Sequence, residues 1–267
     1  MKKIFSAGTA LLIGLFAVGV SSCSNDDMPA RVNENTAKLA PEEYLTISYN
    51  GKKYANVPTA YDENGDFVFL DTEFSEIYNK ELKNCFSMSV NLIDDNTIEM
   101  YKSLEENLTS KEISAQNLAE QSAQITRAVA NPTLPYIGLV YLYDDKKFND
   151  RHFDFGILPG ESHIEEGNLN NPYKFNDKCS SLKVDNKLPN DANQVFDFGS
   201  YTLKYTEVSL VFIGYDDKWF SDRTFTVIAN ANVLREFKEL KNFNDKMSSF
   251  KLFFCQKGKY VVEGASK

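Results

Sequence analysis

The sequence predicts a mainly β fold, in which an all-β sandwich of two units forms the C-terminal half and a small α+β module precedes it. The first observation is the aromatic content, 20 Phe and 14 Tyr, because aromatic residues favour strands. The second is the alternation of apolar and polar residues between Asn-Gly turn signals. The third is an internal repeat, in which two sequence blocks occur twice in the same order between residues 136 and 255.

The N-terminus has the pattern of an export signal. Lys2 and Lys3 precede the uncharged apolar run 4–20, and Val20-Ser21-Ser22-Cys23 follows. This resembles a bacterial lipobox, which implies a signal peptide over 1–22, a lipidated Cys23 and a polar tether over 23–42. The acidic run after Cys23 is similar to the export signal of Bacteroidota surface lipoproteins, so we expect an outer-membrane lipoprotein exposed at the cell surface. The alternative is an ordinary secretory leader with a chance cysteine.

Charge and composition exclude several classes of partner and site. Lys and Arg total 29 against 38 Asp and Glu, which argues against nucleic-acid binding because that needs a positive face. Two histidines make a His-based zinc site improbable. The remaining cysteines, Cys85, Cys179 and Cys255, form no Cys-x-x-Cys pair, and we expect them to be small buried residues.

The predicted module spans residues 43–108 and begins with strands joined by tight turns. Asn50-Gly51 and Asn64-Gly65 each lie between strand-like segments. Asp62, Asn64 and Asp66 also suggest a calcium loop, but the glycine position and the missing bidentate Glu favour a hairpin turn.

A helix is expected at the end of this module. Ile98, Tyr101, Leu104 and Leu108 recur at spacings of three and four, as on the apolar face of a helix. Residues 109–135 are predicted to be a weakly packed helix or linker, with a domain boundary near Pro135. The sandwich is then predicted over 136–255, with a tail over 256–267.

The repeat defines the units of the sandwich. One block occurs as Val140–Arg151 and as Val211–Arg223, and the other as Phe175–Val184 and Phe243–Leu252. Duplication of a four-stranded unit explains this order, so the sequence predicts two pseudo-symmetric units. The stretch 185–208 between them is long enough for an extra strand or loop.

The first block resembles the Greek-key signature of the βγ-crystallins, aromatic-x-x-x-x-aromatic-x-Gly. The matching aromatic pairs are Tyr143 with Phe148 and Tyr215 with Phe220. Asp150 and Asp222 depart from that pattern, because they stand where the family has glycine. Glycine allows a positive φ, and aspartate is one of the few residues that can replace it. The resemblance implies a double Greek-key sandwich and covers less than half of the chain.

The second block resembles the calcium motif of that family, Asn/Asp-Asn/Asp-x-x-Ser/Thr-Ser, before the last strand of each unit. It reads Asn176-Asp177-Lys178-Cys179-Ser180-Ser181 in one unit and Asn244-Asp245-Lys246-Met247-Ser248-Ser249 in the other. The resemblance implies two Ca²⁺ sites of unequal strength, each completed by residues from both repeats. Its implied ligands are the side chains of Asp177 and Asp245, the carbonyls of Lys178 and Lys246, the hydroxyls of Ser180 and Ser248, and the carbonyls of Asp144 and Asp216, while Asn176 and Asn244 brace the loops. The alternative is that both motifs only build turns before a strand.

The sequence contains no convincing catalytic constellation. It has no phosphate loop and no dinucleotide-binding glycine motif, and Gly160–Ile164 lacks the second glycine of a nucleophile elbow. We therefore predict a non-enzymatic, lipid-anchored envelope protein with a calcium-binding structural domain. The competing prediction is a surface interaction module for a glycan, an envelope component or a protease, in which calcium is incidental or absent.

Overall fold

The computed structural model describes residues 39–111, 135–199 and 201–256. The predicted leader, Cys23, and nearly all of the tether, of the 109–135 segment and of the C-terminal tail lie outside these residues. No helix of the described ranges is both long and apolar enough to cross a membrane.

Five strands and two short helices make up the N-terminal part. The strands are β1 (Glu43–Tyr49), β2 (Lys52–Tyr61), β3 (Phe67–Phe69), β4 (Ser89–Asp94) and β5 (Thr97–Tyr101). Helix α1 (Thr72–Ile77) continues as a π-helical turn over Tyr78–Leu82, and α2 covers Leu104–Ser110.

Both predicted hairpin turns of this part are confirmed. Asn50 and Gly51 have φ values of 50° and 73° between β1 and β2, the left-handed pair that a tight hairpin requires. At the next turn, the Asp62 carboxylate accepts hydrogen bonds from the amides of Asn64 and Asp66, each at 2.9 Å. These bonds close a turn before β3, as an Asx turn does.

The expected helical stripe from Ile98 to Leu108 is wrong in its first half. Thr97–Tyr101 is the strand β5, and the helix begins only after Ser103, whose hydroxyl accepts from the Glu106 amide at 3.0 Å. In β5 the buried residues are Ile98 and Met100, two positions apart, and Tyr101 lies on the other face. Over five residues this alternation competes with the helical spacing of Ile98 and Tyr101, and here the strand forms. The cap at Ser103 decides where α2 starts.

The C-terminal half has two four-stranded units, as predicted. The first unit contains β6 (Gly138–Tyr143), β7 (His152–Ile157), β8 (His163–Glu166) and β9 (Ser181–Asn186). The hairpin of β10 (Val195–Asp197) and β11 (Thr202–Lys204) is the extra element expected before the second unit. That unit contains β12 (Val208–Tyr215), β13 (Thr224–Asn230), β14 (Val233–Phe237) and β15 (Ser249–Gln256).

The strand order shows a double Greek key with exchanged third strands. One sheet runs β14-β9-β6-β7, and the other contains β13-β12-β15-β8. The third strand of each unit, β8 or β14, therefore lies in the sheet of the other unit. The predicted mainly β, double Greek-key fold is confirmed by this order.

The main core lies between the two sheets and is rich in phenylalanine. Phe155, Phe212, Phe225 and Phe250 are fully buried there, and their rings contact one another at centroid distances of 4.9–5.7 Å. Cys179 and Cys255 are also fully buried and Cys85 is half-buried, and all three are free thiols. The cysteine prediction is therefore confirmed for two of the three.

The N-terminal strands extend the larger sheet. Strand β4 pairs in parallel with β13, giving the nine-stranded order β3-β2-β1-β5-β4-β13-β12-β15-β8. Above this junction, the Asn107 amide of α2 donates to Ser89 Oγ at 2.8 Å and to Thr226 Oγ1 at 3.1 Å. The ranges 43–108 and 136–255, predicted as separate domains from the sequence, thus share one sheet; their independence as domains stays a prediction.

Candidate functional site: two oxygen clusters built across the repeats

Two equivalent hairpins follow β6 and β12. In each, the tyrosine at the strand end meets the phenylalanine five residues later edge to face, with centroid distances of 5.4 Å and 5.5 Å. The turn needs several left-handed residues, among them Asp150 with φ 60° and Asp222 with φ 67°. Aspartate therefore adopts the conformation that the resemblance assigns to glycine.

The second serine of each motif holds the hairpin of its own unit. Ser181 Oγ donates to the Asp145 carbonyl at 2.7 Å and accepts from the Phe148 amide at 3.0 Å. Ser249 repeats both contacts with Asp217 and Phe220, at 2.7 Å and 3.1 Å. Each of these hydroxyls donates one hydrogen bond and accepts one within its own unit, so its role is structural.

The two motif loops are bonded to each other. The Asp177 amide donates to the Met247 carbonyl, and the Asp245 amide donates to the Cys179 carbonyl, both at 3.1 Å. Both aspartates have left-handed φ values, 53° and 54°. This reciprocal pairing carries each aspartate toward the serine of the other repeat.

The first oxygen cluster, as we name it, consists of Ser180 Oγ, the Asp144 carbonyl and Asp245 Oδ1. Ser180 Oγ lies 2.7 Å from the carbonyl and 2.6 Å from the carboxylate, and the serine is 3% exposed. Ser180 thus meets the aspartate of the second motif rather than Asp177 of its own. One hydroxyl has one proton for two acceptors, so the cluster has an excess of acceptor oxygens.

The second oxygen cluster consists of Ser248 Oγ and Asp177 Oδ1, which lie 2.8 Å apart. Within the described residues, the Asp216 carbonyl is not a hydrogen-bond partner of Ser248, although Asp144 plays that part in the first cluster. Both clusters therefore pair a serine hydroxyl with the aspartate of the other repeat, and only the first also includes a backbone carbonyl.

The motif asparagines lie against the aspartates that follow them. Asn176 Nδ2 donates to Asp177 Oδ2, and Asn244 Nδ2 donates to Asp245 Oδ2 at 2.8 Å. In both cases the amide oxygen, Oδ1, is buried and has no hydrogen-bond partner among the described residues. An unpartnered buried acceptor is costly, and here it recurs at equivalent positions.

The other predicted site residues take peripheral positions. The Lys178 side chain is exposed and Lys246 is half-buried. The Asp144 carboxylate pairs with Arg151 at 3.0 Å, and Asp216 pairs with Arg223. These carboxylates are therefore neutralised by arginine, and the Asp144 carbonyl belongs to the first cluster.

The ion pair of the second unit is the more buried of the two. Burial raises the pKa of Asp216, and the Arg223 guanidinium and Lys246 act against that rise. Each arginine stands seven residues after its aspartate. This spacing recurs in both repeats, so the two ion pairs could have been predicted from the sequence, although the expected site did not include them.

Among the described residues, no group of three or more His, Cys, Asp or Glu side chains is arranged to hold a metal ion. A cation at either cluster would therefore be held by one carboxylate with hydroxyl, carbonyl and amide oxygens. Such neutral oxygen donors suit a hard cation such as Ca²⁺ and do not suit zinc. The residues present fit calcium in donor type and in the excess of acceptors.

Comparison with known proteins found similarity only among solved structures. No family model and no curated protein matches the chain. A βγ-crystallin from Ciona intestinalis is 16% identical, with 42% of this chain and 95% of that chain covered and a TM-score of 0.25. A double mutant of a βγ-crystallin domain from Clostridium beijerinckii is 22% identical, with 43% of this chain and 96% of that chain covered and a TM-score of 0.25.

Spherulin 3a from Physarum polycephalum is 17% identical, with 49% of this chain and 95% of that chain covered and a TM-score of 0.27. With TM-scores below 0.5, these likenesses carry no argument about family or ligands. The strand order of this chain itself shows that its C-terminal half is a double Greek-key sandwich.

Proposed function

We propose that the protein is a lipid-anchored envelope protein whose double Greek-key sandwich binds calcium at the two oxygen clusters. The observation that carries this proposal is the first cluster, where three oxygens converge with one hydroxyl proton among them. A divalent cation would remove this excess of negative potential if the Ser180 hydroxyl turned its proton away. The net acidic chain would also concentrate cations near the surface.

The unpartnered amide oxygens support the same ligand. Asn176 Oδ1 and Asn244 Oδ1 are buried acceptors beside the carboxylates of the two clusters. The carbonyls of Lys178 and Lys246 follow those carboxylates directly in the chain. Since calcium takes six to eight oxygens, water would supply the rest of the coordination shell in both clusters.

The first cluster is proposed to be the stronger site. It already joins a carboxylate, a hydroxyl and a carbonyl, whereas the second cluster joins only a carboxylate and a hydroxyl. Oxygens that the fold has already brought together cost less ordering when the ion binds.

Calorimetry tests this proposal directly. Wild-type protein should show two binding events, Asp245→Ala should lose the stronger and Asp177→Ala the weaker. Asp62→Ala is the matched control, because it removes a carboxylate from the N-terminal turn whose sequence favours a hairpin over a calcium loop. No heat of binding, together with identical melting in EDTA and in excess calcium, would contradict calcium binding.

Lipid anchoring at Cys23 is proposed from the lipobox resemblance alone. Two or three acyl chains would hold the protein at the outer membrane far more firmly than one chain. Cys23→Ala should move the protein from the membrane fraction to the soluble fraction. Unchanged membrane retention of that variant would contradict the anchor.

One observation favours the alternative, a surface interaction module with incidental calcium. The only tryptophan of the chain, Trp219, is 71% exposed on the second hairpin, and its ring lies against Gly167, where a Cβ would come within 2.9 Å of Cζ3. An exposed aromatic ring with one face supported is suited to contact a sugar ring or a protein surface. Trp219→Ala should abolish such binding and leave the calcium heats unchanged.

A further inference from the structure

The two loops that carry the cluster aspartates are supported by different parts of the molecule. The loop before Asp177 is held by its own unit, where Arg151 donates to the Lys174 carbonyl at 3.1 Å, and by the second unit, where its Leu169 amide donates to the Ser248 carbonyl at 3.0 Å. The loop before Asp245, residues 238–244, makes the equivalent backbone bonds with the first unit and, in addition, side-chain contacts with the N-terminal part.

Three N-terminal residues hold this second loop. The Tyr61 hydroxyl lies 2.8 Å from Glu239 Oε1 and 3.4 Å from the Lys241 carbonyl. Glu43 forms an ion pair with the Lys241 ammonium group, and the Asp95 carboxylate accepts from the Lys238 amide at 2.9 Å. These contacts lie on either side of Leu240, whose amide donates to the Ser180 carbonyl at 3.0 Å.

The same residues also reach the hairpin that carries Asp144. The Lys146 ammonium group pairs with Glu239 at 2.5 Å and lies 4.9 Å from the centre of the Tyr61 ring. The Lys147 amide donates to the Lys238 carbonyl at 2.8 Å. Tyr61 and Glu239 therefore link the hairpin of Asp144 to the loop of Asp245, the two segments whose oxygens meet at Ser180.

The electrostatics of this contact favour a fixed arrangement. The Lys241 side chain is 7% exposed and those of Glu43 and Glu239 are each 22% exposed. Burial acts to raise the pKa of Glu239, but hydrogen bonds from Lys146 and Tyr61 and the charges of Lys146 and Lys241 lower it overall. Burial first, and then the hydrogen bond to Glu239, raise the pKa of Tyr61, so a neutral phenol faces an ionised carboxylate.

We propose that the N-terminal part acts as a brace, through Glu43 of β1, Tyr61 of β2 and Asp95 of the β4–β5 turn, that preorganises the first oxygen cluster and raises its calcium affinity above that of the second. This inference rests on the proposed calcium function. The physical reason is that an ion binds more tightly to ligands whose positions are already fixed, because less conformational entropy is lost on binding. In the described structure, none of the three brace residues hydrogen-bonds or ion-pairs with the loop before Asp177.

The test measures each cluster separately. Asp177→Ala leaves the first cluster and Asp245→Ala leaves the second, and Tyr61→Phe is added to each. We expect Tyr61→Phe to weaken calcium binding about fivefold in the first background, which corresponds to the loss of one hydrogen bond. In the second background the dissociation constant should change by less than about twofold.

The matched control is Tyr49→Phe, because Tyr49 also donates from a buried N-terminal strand to a glutamate, Glu81 at 2.8 Å, and contacts neither cluster. It should leave both dissociation constants unchanged. Glu239→Gln is the second test variant and should act in the same direction as Tyr61→Phe. Circular dichroism and melting in EDTA verify that each variant is folded.

The outcomes separate the two proposals. If neither single-cluster protein binds calcium, the proposed function is wrong and this inference falls with it. If both bind and Tyr61→Phe and Glu239→Gln change neither dissociation constant, or change both equally, the brace is overturned while calcium binding stands.

Discussion

The crosswise pairing of serine and aspartate gives a prediction that does not depend on calcium. Ser180 and Asp245 are 65 residues apart and their side-chain oxygens lie 2.6 Å apart. We therefore expect an energetic coupling between them in a double-mutant cycle of Ser180→Ala and Asp245→Ala. Ser248→Ala and Asp177→Ala should couple in the same way, since those oxygens lie 2.8 Å apart.

The magnitude follows from the kind of bond and its exposure. A hydrogen bond to a charged group contributes about 1.5–3 kcal/mol when buried. The serines are buried and the aspartates are more accessible to solvent, so solvent screening reduces the coupling to about 1 kcal/mol. Pairs within one motif, such as Ser180 with Asp177, share no hydrogen bond in the described structure and should couple by less than about 0.5 kcal/mol.

The assay is urea unfolding of the four proteins of each cycle in EDTA, with the free energy of unfolding taken from the midpoint and slope. Working in EDTA separates the hydrogen bond from any contribution of a bound ion. Strong coupling of Ser180 with Asp177 and none with Asp245 would refute the crosswise geometry. It would return the ligand sets to single motifs.

Two further predictions concern packing and pH. Gly214→Ala should lower the free energy of unfolding by about 1–3 kcal/mol, because a Cβ would lie 2.5 Å from Phe225 Cζ and 2.9 Å from Met247 Sδ. The double variant Gly214→Ala with Phe225→Leu should recover part of this loss. Calorimetric melting that shows no loss of stability for Gly214→Ala would contradict this packing. The lowered pKa of Glu239 means that its stabilising contribution is complete above the ordinary value of 4.5 and is lost as the pH falls through the folded-state pKa. The stability difference between wild type and Glu239→Gln should therefore be largest near neutral pH and become smaller on acidification. Chemical unfolding at several pH values measures this difference, and a difference that grows on acidification would contradict the reasoning.

The C-terminal fold could be predicted because the information was repeated. Tyr143 with Phe148 and Tyr215 with Phe220 mark the same turn twice, and the two serine motifs mark the start of β9 and β15. A single copy of the first block would have predicted only a hairpin, and a single copy of the second only a turn before a strand. Because both blocks occur twice in the same order, the sequence also predicted two equivalent units.

The N-terminal part was predictable only within its own hairpins. Its decisive contact is the parallel pairing of β4 with β13, which joins residues 135 positions apart, such as Ser89 with Thr224. Neither strand carries a local signal for this partner, because alternation describes which face is buried and not which edge is paired. The brace was missed for the same reason: Tyr61 and Glu239 are 178 residues apart.

The structure brings together part of the predicted site, the aspartates and first serines of the two motifs with the Asp144 carbonyl. The resemblance implied that Asp177 and Ser180 of one motif are ligands of the same site. The structure instead joins each aspartate to the serine of the other repeat, because the two loops exchange backbone hydrogen bonds at Met247 and Cys179. Sequence spacing contains no information about such an exchange between loops.

The exchange of strands and the exchange of cluster oxygens have one consequence for stability. Neither unit can complete its sheet alone, since β8 lies in the sheet of the second unit and β14 in that of the first. Neither unit can complete an oxygen cluster alone either, so a cation bound there would stabilise only the state in which both units are folded together. A ligand of that kind shifts the global unfolding equilibrium rather than a local one. The N-terminal strands join the same sheet through β4 and contact the loop before Asp245 through Tyr61. Their removal should therefore weaken calcium binding and cooperative unfolding together.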